Sequence, residues 1–173
     1  MTNNQSPITN HLYVAIIGPE STGKTTLAQQ LAQQFKGTYV PEYAREYIER
    51  KRTREVTFDE LCEIAKHQIE QLDSIVNQSS NRQSSNRQYF FDTELIVTKV
   101  WFDYAFGRVP EWLNEAILRY PMDLYLLTAP DIPWQPDPAR YNGSDAIRQE
   151  LFDRYESEIQ ALHIPYFVIP HPA

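Results

Sequence analysis

Residues 18 to 25 read Gly18-Pro19-Glu20-Ser21-Thr22-Gly23-Lys24-Thr25, a complete G-x-x-x-x-G-K-[ST] phosphate-binding loop. Ahead of it Leu12-Tyr13-Val14-Ala15-Ile16-Ile17 is a short apolar run that reads as a buried parallel strand. Behind it Leu27, Ala28, Leu31, Ala32 and Phe35 recur at helical spacing. A strand feeding a glycine loop that opens a helix directs backbone N–H groups and a helix N-terminus at a phosphate. Gly18 to Thr26 are therefore the candidate ATP-binding residues, with Lys24 as the mobile cation and Thr25 offering its hydroxyl to Mg²⁺. Such a unit commits the chain to an α/β architecture.

The bulk properties narrow the class. At 173 residues there is room for one domain with a real core. The expected layout is a polar tail over residues 1–11 and a single domain over residues 12–173. A net charge of −7 argues against a sequence-independent grip on nucleic acid. Cys62 is the only cysteine, which fits a reducing compartment. No apolar run has membrane-spanning length, and the first ten residues lack a signal-peptide core. A cytoplasmic enzyme with a small-molecule partner is the expectation; oligomeric state is not readable.

Strands and helices alternate along the rest of the chain. Thr38-Tyr39-Val40 reads as a second strand, and Glu42 to Arg50 as a short helix. Thr57-x-x-Glu60 forms a capping box at the start of a helix whose stripe is Phe58, Leu61, Ala65, Ile69, Leu72 and Val76. Residues 78–88 duplicate QSSNR and read as a polar loop. Tyr89-Phe90-Phe91 is a third strand ending at Asp92, with a helix from about Glu94 to Phe106 that stops at Gly107. A short helix from Pro110, a fourth strand over 123–128, a helix capped near Ser144 and a strand over 166–169 complete the chain. The pattern predicts a five-stranded parallel sheet with helices on both faces. Ligands of such sheets collect at the carboxyl ends of the strands, where the loop at Gly18, Glu42 and Asp92 converge.

Asp92 ends an apolar strand, where phosphate-loop proteins place the acidic residue associated with Mg²⁺; it is equally well placed to cap the following helix. Glu42 follows the second strand with Tyr43 beside it, and Arg45 lies one turn later on the same face. Glu42 or Asp92 could accept the proton of an attacking hydroxyl, with Arg45 near the transferring phosphate; an exposed ion pair is the plainer reading. The segment from Pro130 to Arg140 is too rich in proline for a helix, so residues 129–142 read as a lid. Arg140 would bring a bidentate donor to developing charge, and Arg148 is a second candidate. Trp101 and Tyr104 share a helical face and could floor a pocket for a flat or cationic ring.

Three classes of triphosphate protein compete. A GTP switch would carry N-K-x-D, which is absent. A motor ATPase would pair the strand-end Asp with an adjacent Glu, whereas Thr93 follows Asp92. A small-molecule kinase needs a compact domain, an acidic group near the second strand and an arginine-bearing lid, and this sequence has all three.

GPESTGKTTLA, VPEYAREYIE, FFDTE with a downstream Trp, and LYLLTAPDIPW ending in Arg140 together resemble the bacterial ribosylnicotinamide kinases, from about Tyr13 to Ile169. These form the kinase half of a bifunctional NAD-biosynthesis regulator and also occur alone. The resemblance implies a P-loop nucleoside-kinase-like fold and ATP-dependent phosphorylation of the ribose 5′-hydroxyl of nicotinamide riboside to nicotinamide mononucleotide. By position it places Glu42, Tyr43, Arg45 and Asp92 around the ribose, Trp101 and Tyr104 at the nicotinamide ring, Thr25 and Asp92 at Mg²⁺, and Arg140 on the lid. The T/H-x-G-H signature of the bifunctional members is absent, so their nucleotidyltransferase activity is not expected. A kinase for another nucleoside or nucleotide, and a non-catalytic ATP-binding module, remain open.

Overall fold

The computed structural model describes residues 11–51, 53, 55–80, 87–131 and 144–170. β1 (Leu12–Ile17) is the central strand, and its last four residues are fully buried. It pairs in parallel with β3 (Gln88–Asp92) on one side and β4 (Leu124–Thr128) on the other. A strand hydrogen-bonded at both edges and covered on both faces has no place for a polar side chain, which is why this segment is apolar throughout. β2 (Thr38–Val40) adds to β3, and β5 (Tyr166–Ile169) adds to β4, both in parallel. The order β2-β3-β1-β4-β5 is the five-stranded parallel sheet expected from the alternation of elements.

The two faces are covered unequally. α1 (Lys24–Gln34) lays Leu27, Ala28, Leu31 and Ala32 on Val14, Ile16 and Phe90. The larger core lies on the opposite face. There Ala15, Ile17, Phe91 and Leu127 meet α3 (Phe58–Ser80), α4 (Leu95–Phe106), α5 (Glu111–Arg119) and α6 (Asp145–Leu162). α2 (Tyr43–Arg50) packs on α3 above the strand ends. Among the described residues no helix is long and apolar enough to cross a membrane.

Local chemistry sets the boundaries. Thr57 and Glu60 form the expected capping box, with N–H to carboxylate at 2.8 Å and N–H to hydroxyl at 3.3 Å. Gly107 takes a left-handed conformation, φ 62°, to close α4. The polar loop expected over 78–88 is shorter than that at both ends. Residues 78–80 continue α3, and Gln88 opens β3. A helix nucleated by a capping box and held by a buried stripe extends into polar sequence at little cost, and ladder hydrogen bonds recruit Gln88 whatever its side chain. Residues 81–86, the tail over 1–10 and most of the expected lid lie outside the described residues.

Register then decides where loops open. Ile16 lies opposite Asp92, Val40 opposite Phe91 and Ile17 opposite Leu127. The chain leaves β1, β2, β3 and β4 at the same edge, within two residues of Gly18, Glu42, Asp92 and Thr128. Gly18 sits hard against β4, with φ 147°. A Cβ there would meet the Thr128 hydroxyl at 2.3 Å and its carbonyl oxygen at 2.7 Å. The carbonyl belongs to the sheet and cannot turn away. Gly18→Ala is expected to destabilise the fold by about 2–4 kcal/mol, read as a lower urea midpoint at unchanged m-value.

A candidate nucleotide and substrate site at the strand ends

The loop between β1 and α1 alternates handedness, with φ 147° at Gly18, 57° at Ser21 and 79° at Gly23. That alternation turns successive N–H groups toward one concavity, which favours an anion. Pro19 and Thr22 shape it from within, since the Pro19 carbonyl accepts from the Thr22 hydroxyl at 2.8 Å and from Lys24 Nζ at 2.7 Å. Thr22 is also 2.6 Å from the Thr128 hydroxyl, which ties the loop to β4. Lys24, the first residue of α1, is 8% exposed and folded back over the loop. Glu20 and Thr25 are half-buried, while Gly23 and Thr26 face solvent.

Across the sheet edge, Asp92, Thr93 and Glu94 are all buried. Asp92 Oδ2 accepts from the Tyr39 hydroxyl at 3.2 Å; Oδ1 is buried without a hydrogen-bond partner. Burial, then the Asp92 charge, pushes the Tyr39 hydroxyl up to about 12, so it stays a donor. The capping role open to Asp92 is taken by Glu94, whose carboxylate accepts from Ile96 N–H at 2.9 Å. The reason is the backbone at Thr93, which turns left-handed, φ 64°, with its N–H on the Ile16 carbonyl at 3.0 Å. This turn starts the helix two residues late and leaves the Asp92 carboxylate at the sheet edge. A β-branched residue at such φ carries about 1–3 kcal/mol of strain, held here by its neighbours. Glu94 faces inward, bonded also to Leu95 N–H and the Tyr125 hydroxyl, and burial pushes its carboxyl up to about 8 despite them.

Between these elements lies a cavity of about 450 Å³. Its lining includes the charged Glu20, Lys24, Glu42 and Arg45 and the apolar Val56, Leu61, Val97, Trp101 and Phe106. Trp101 is anchored by donating its indole N–H to the Tyr155 hydroxyl. Tyr155 is pushed far up, first by burial and then by the charges of Glu20 and Glu42, two carboxylates that line the cavity. The cavity therefore brings aromatic and acidic side chains together beside the phosphate loop.

The sequence-predicted residues distribute as follows. Lys24, Glu20, Glu42, Arg45 and Trp101 share the cavity, and Arg45 pairs with Glu49 at 2.9 Å. Asp92 and Tyr43 line a smaller adjoining recess that shares Thr93 and Gln68 with the cavity. The Tyr43 ring stacks on His67, centroids 3.5 Å apart. Tyr104 lies outside the lining, edge-on to Trp101 at 5.7 Å, with the Arg154 guanidinium 5.6 Å from its ring. Arg148 is fully buried on α6, on the same helical face as Tyr155. Arg140 and Trp134 lie outside the described residues.

Sequence reasoning passed over Gln68 and Thr98, which meet in the cavity wall. The signal was present, because Gln68 falls seven residues after Leu61 on the buried face of α3, where a polar residue is out of place.

The residue set suits Mg²⁺ as well as phosphate. A buried carboxylate oxygen without a partner at Asp92, and the Thr25 hydroxyl on the loop, form the sparse all-oxygen set this ion takes alongside phosphate and water. Among the described residues no group of three or more His, Cys, Asp and Glu side chains could hold a metal alone.

Comparisons with known proteins bear on this geometry. A family model described as an AAA domain matches residues 13–173. The trifunctional NAD biosynthesis/regulator protein NadR of Escherichia coli (strain K12) is 30% identical over 141 residues, 80% of this chain and 33% of that protein. The chain thus spans about a third of the length of that curated relative. A crystal structure of NadR protein in complex with NAD and AMP-PNP superposes with TM-score 0.70 and 24% identity, over 91% of this chain and 44% of the other. Another, in complex with NR, gives TM-score 0.65 and 26% identity over 92% and 43%. The resemblance drawn from the motifs is borne out, as is the α/β phosphate-loop kinase-like fold. The chain has the phosphate-loop fold that nucleoside and nucleotide kinases share.

The state of Glu94 gives a test. An acid whose native pKa lies above its unfolded value contributes stability that is complete below the unfolded value and is lost as pH rises through the native one. For Glu94 that window runs from about 4.5 to about 8. Urea unfolding from pH 5 to 9 should show wild-type stability falling across it by a few kcal/mol more than Glu94→Gln, whose neutral amide keeps the acceptor for Ile96.

Proposed function

We propose, for a chain that belongs to the AAA domain family, an ATP-dependent kinase that phosphorylates the ribose 5′-hydroxyl of nicotinamide riboside to nicotinamide mononucleotide. One observation carries the reading: a single cavity is lined by Lys24 of the phosphate loop, by Trp101 and by the carboxylates Glu20 and Glu42. A pyridinium nucleoside has a cationic flat ring at one end and a primary alcohol at the other. An aromatic wall and an acidic rim suit the ring, and the loop suits the phosphate donor. The related NadR structures, one in complex with NR and one with AMP-PNP, support the same pairing of ligands.

The residues divide the work. Backbone N–H groups from Gly18 to Thr26 hold the ATP phosphates, and Lys24 swings from the Pro19 carbonyl to the transferring group. Thr25 and Asp92 would hold Mg²⁺, which when bound neutralises phosphate charge. Glu42 or Asp92 orients the attacking alcohol and accepts its proton, and Arg45, Arg148 and Arg140 are the candidates to stabilise the charge that spreads in transfer. The alcohol attacks the terminal phosphorus in line, the bond to ADP breaks, and no phosphoenzyme forms.

Transfer to an alcohol is favoured over hydrolysis by the position of Glu94. A hydrolase needs a carboxylate beside the strand-end Asp to position water, and the candidate here is turned away onto Tyr125 and the start of α4. A kinase for another nucleoside is the second reading, because the ring end of the cavity is mostly aliphatic and aromatic.

A coupled ADP-release assay across nicotinamide riboside, thymidine, uridine and adenosine tests the assignment; turnover confined to another nucleoside, or to none, overturns it. Lys24→Ala should lower kcat at least about 100-fold with unchanged urea midpoint. Asp92→Asn should lower kcat by a similar factor while ATP affinity in Mg²⁺-free buffer, read by calorimetry, moves less than about threefold.

A further inference from the structure

Gln68 on α3 and Thr98 on α4 are 7% and 3% exposed, and both line the cavity among Leu61, Ile64, Val97 and Trp101. An amide in an apolar wall is costly unless its groups are paired, so its presence there calls for a use. The Thr98 hydroxyl donates to Gln68 Oε1 at 2.7 Å. That bond occupies the carbonyl and pins a side chain with three rotatable torsions. What Gln68 has left to offer a ligand is its NH₂ group, a donor that recognises an acceptor.

Its place along the cavity says which acceptor. α4 begins two residues after Thr93, which adjoins Asp92, with Thr98 in its first turn and Trp101 one turn further. At 1.5 Å per residue, Thr98 is about 4.5 Å along the axis from Leu95, where the helix starts, and about 4.5 Å short of Trp101. Gln68 also reaches the recess that contains Asp92. An alcohol at Asp92 and a ring at Trp101 leave the sugar of the nucleoside between them, level with Gln68.

We propose that Gln68, oriented by Thr98, is a specificity-determining residue that donates to a secondary hydroxyl of the substrate's sugar and so selects ribosides over deoxyribosides. The inference rests on the nucleoside-kinase reading. A pre-oriented donor costs nothing further to order when the riboside arrives. A deoxy analogue leaves the donor buried and unpaired, and sites of this kind reject such analogues strongly.

The test compares kcat/KM for nicotinamide riboside and its 2′-deoxy and 3′-deoxy analogues in wild type, Gln68→Leu, Thr98→Val and Thr98→Ser. Wild type should prefer the riboside over one of the two analogues by at least ~100-fold. Gln68→Leu should bring the riboside down to that analogue's level, mainly through KM, and leave the analogue within about threefold. Thr98→Val should narrow the preference, and Thr98→Ser, which keeps the hydroxyl, should restore it. Equal losses on all three nucleosides, or an undiminished preference in Gln68→Leu, overturn the proposal. So does a loss that tracks removal of the ring carboxamide, measured with pyridine riboside. If wild type phosphorylates no riboside, the kinase reading fails separately. Calorimetric binding of the same nucleosides then decides for Gln68: selective loss of riboside affinity in Gln68→Leu supports it, and uniform or absent loss refutes it.

Discussion

β1 is held between two parallel neighbours, and the site depends on that clamp. Its pairing with β3 brings Asp92 level with Ile16, and its pairing with β4 brings Thr128 against Gly18. The phosphate loop is therefore not a free-standing turn. It is pressed onto β4 through a contact that admits only a hydrogen at Gly18, and it is tied there by the Thr22 and Thr128 hydroxyls. A loop fixed on both sides keeps its N–H groups converged without ligand, which lowers the ordering cost of binding phosphate.

The three residues after Phe91 illustrate how one short segment divides its labour. Asp92 keeps one carboxylate oxygen on Tyr39 and leaves the other buried and unpaired. Thr93 absorbs the backbone strain that separates strand from helix. Glu94 turns inward, caps α4 and bonds Tyr125. Strain and desolvation are concentrated where the fold leaves the sheet, and the larger core across α3, α4 and α6 holds them in place.

Charge follows the same economy. The cavity is lined by carboxylates and a lysine of the loop together with aliphatic and aromatic side chains. Burial, and after it the charges of Glu20 and Glu42, pushes the Tyr155 hydroxyl up inside α6. Trp101, which donates to Tyr155, lines the same cavity.

Much of this was legible in the chain because local rules carry it. The spacing of Gly18, Gly23 and Lys24 and the apolar run at Leu12–Ile17 specify a loop between a parallel strand and a helix. Thr57 and Glu60 specify a helix start, and Gly107 a stop, since each acts through hydrogen bonds within a few residues. Tertiary structure decided what depends on distant partners. Asp92 yielded the cap to Glu94 because Thr93 N–H bonds a carbonyl on β1, nearly eighty residues earlier. Gln68 became part of a cavity wall because Thr98, thirty residues on, meets it across a helix–helix contact. Periodicity tells which face of a helix is buried, but it carries no information about which other face it is buried against.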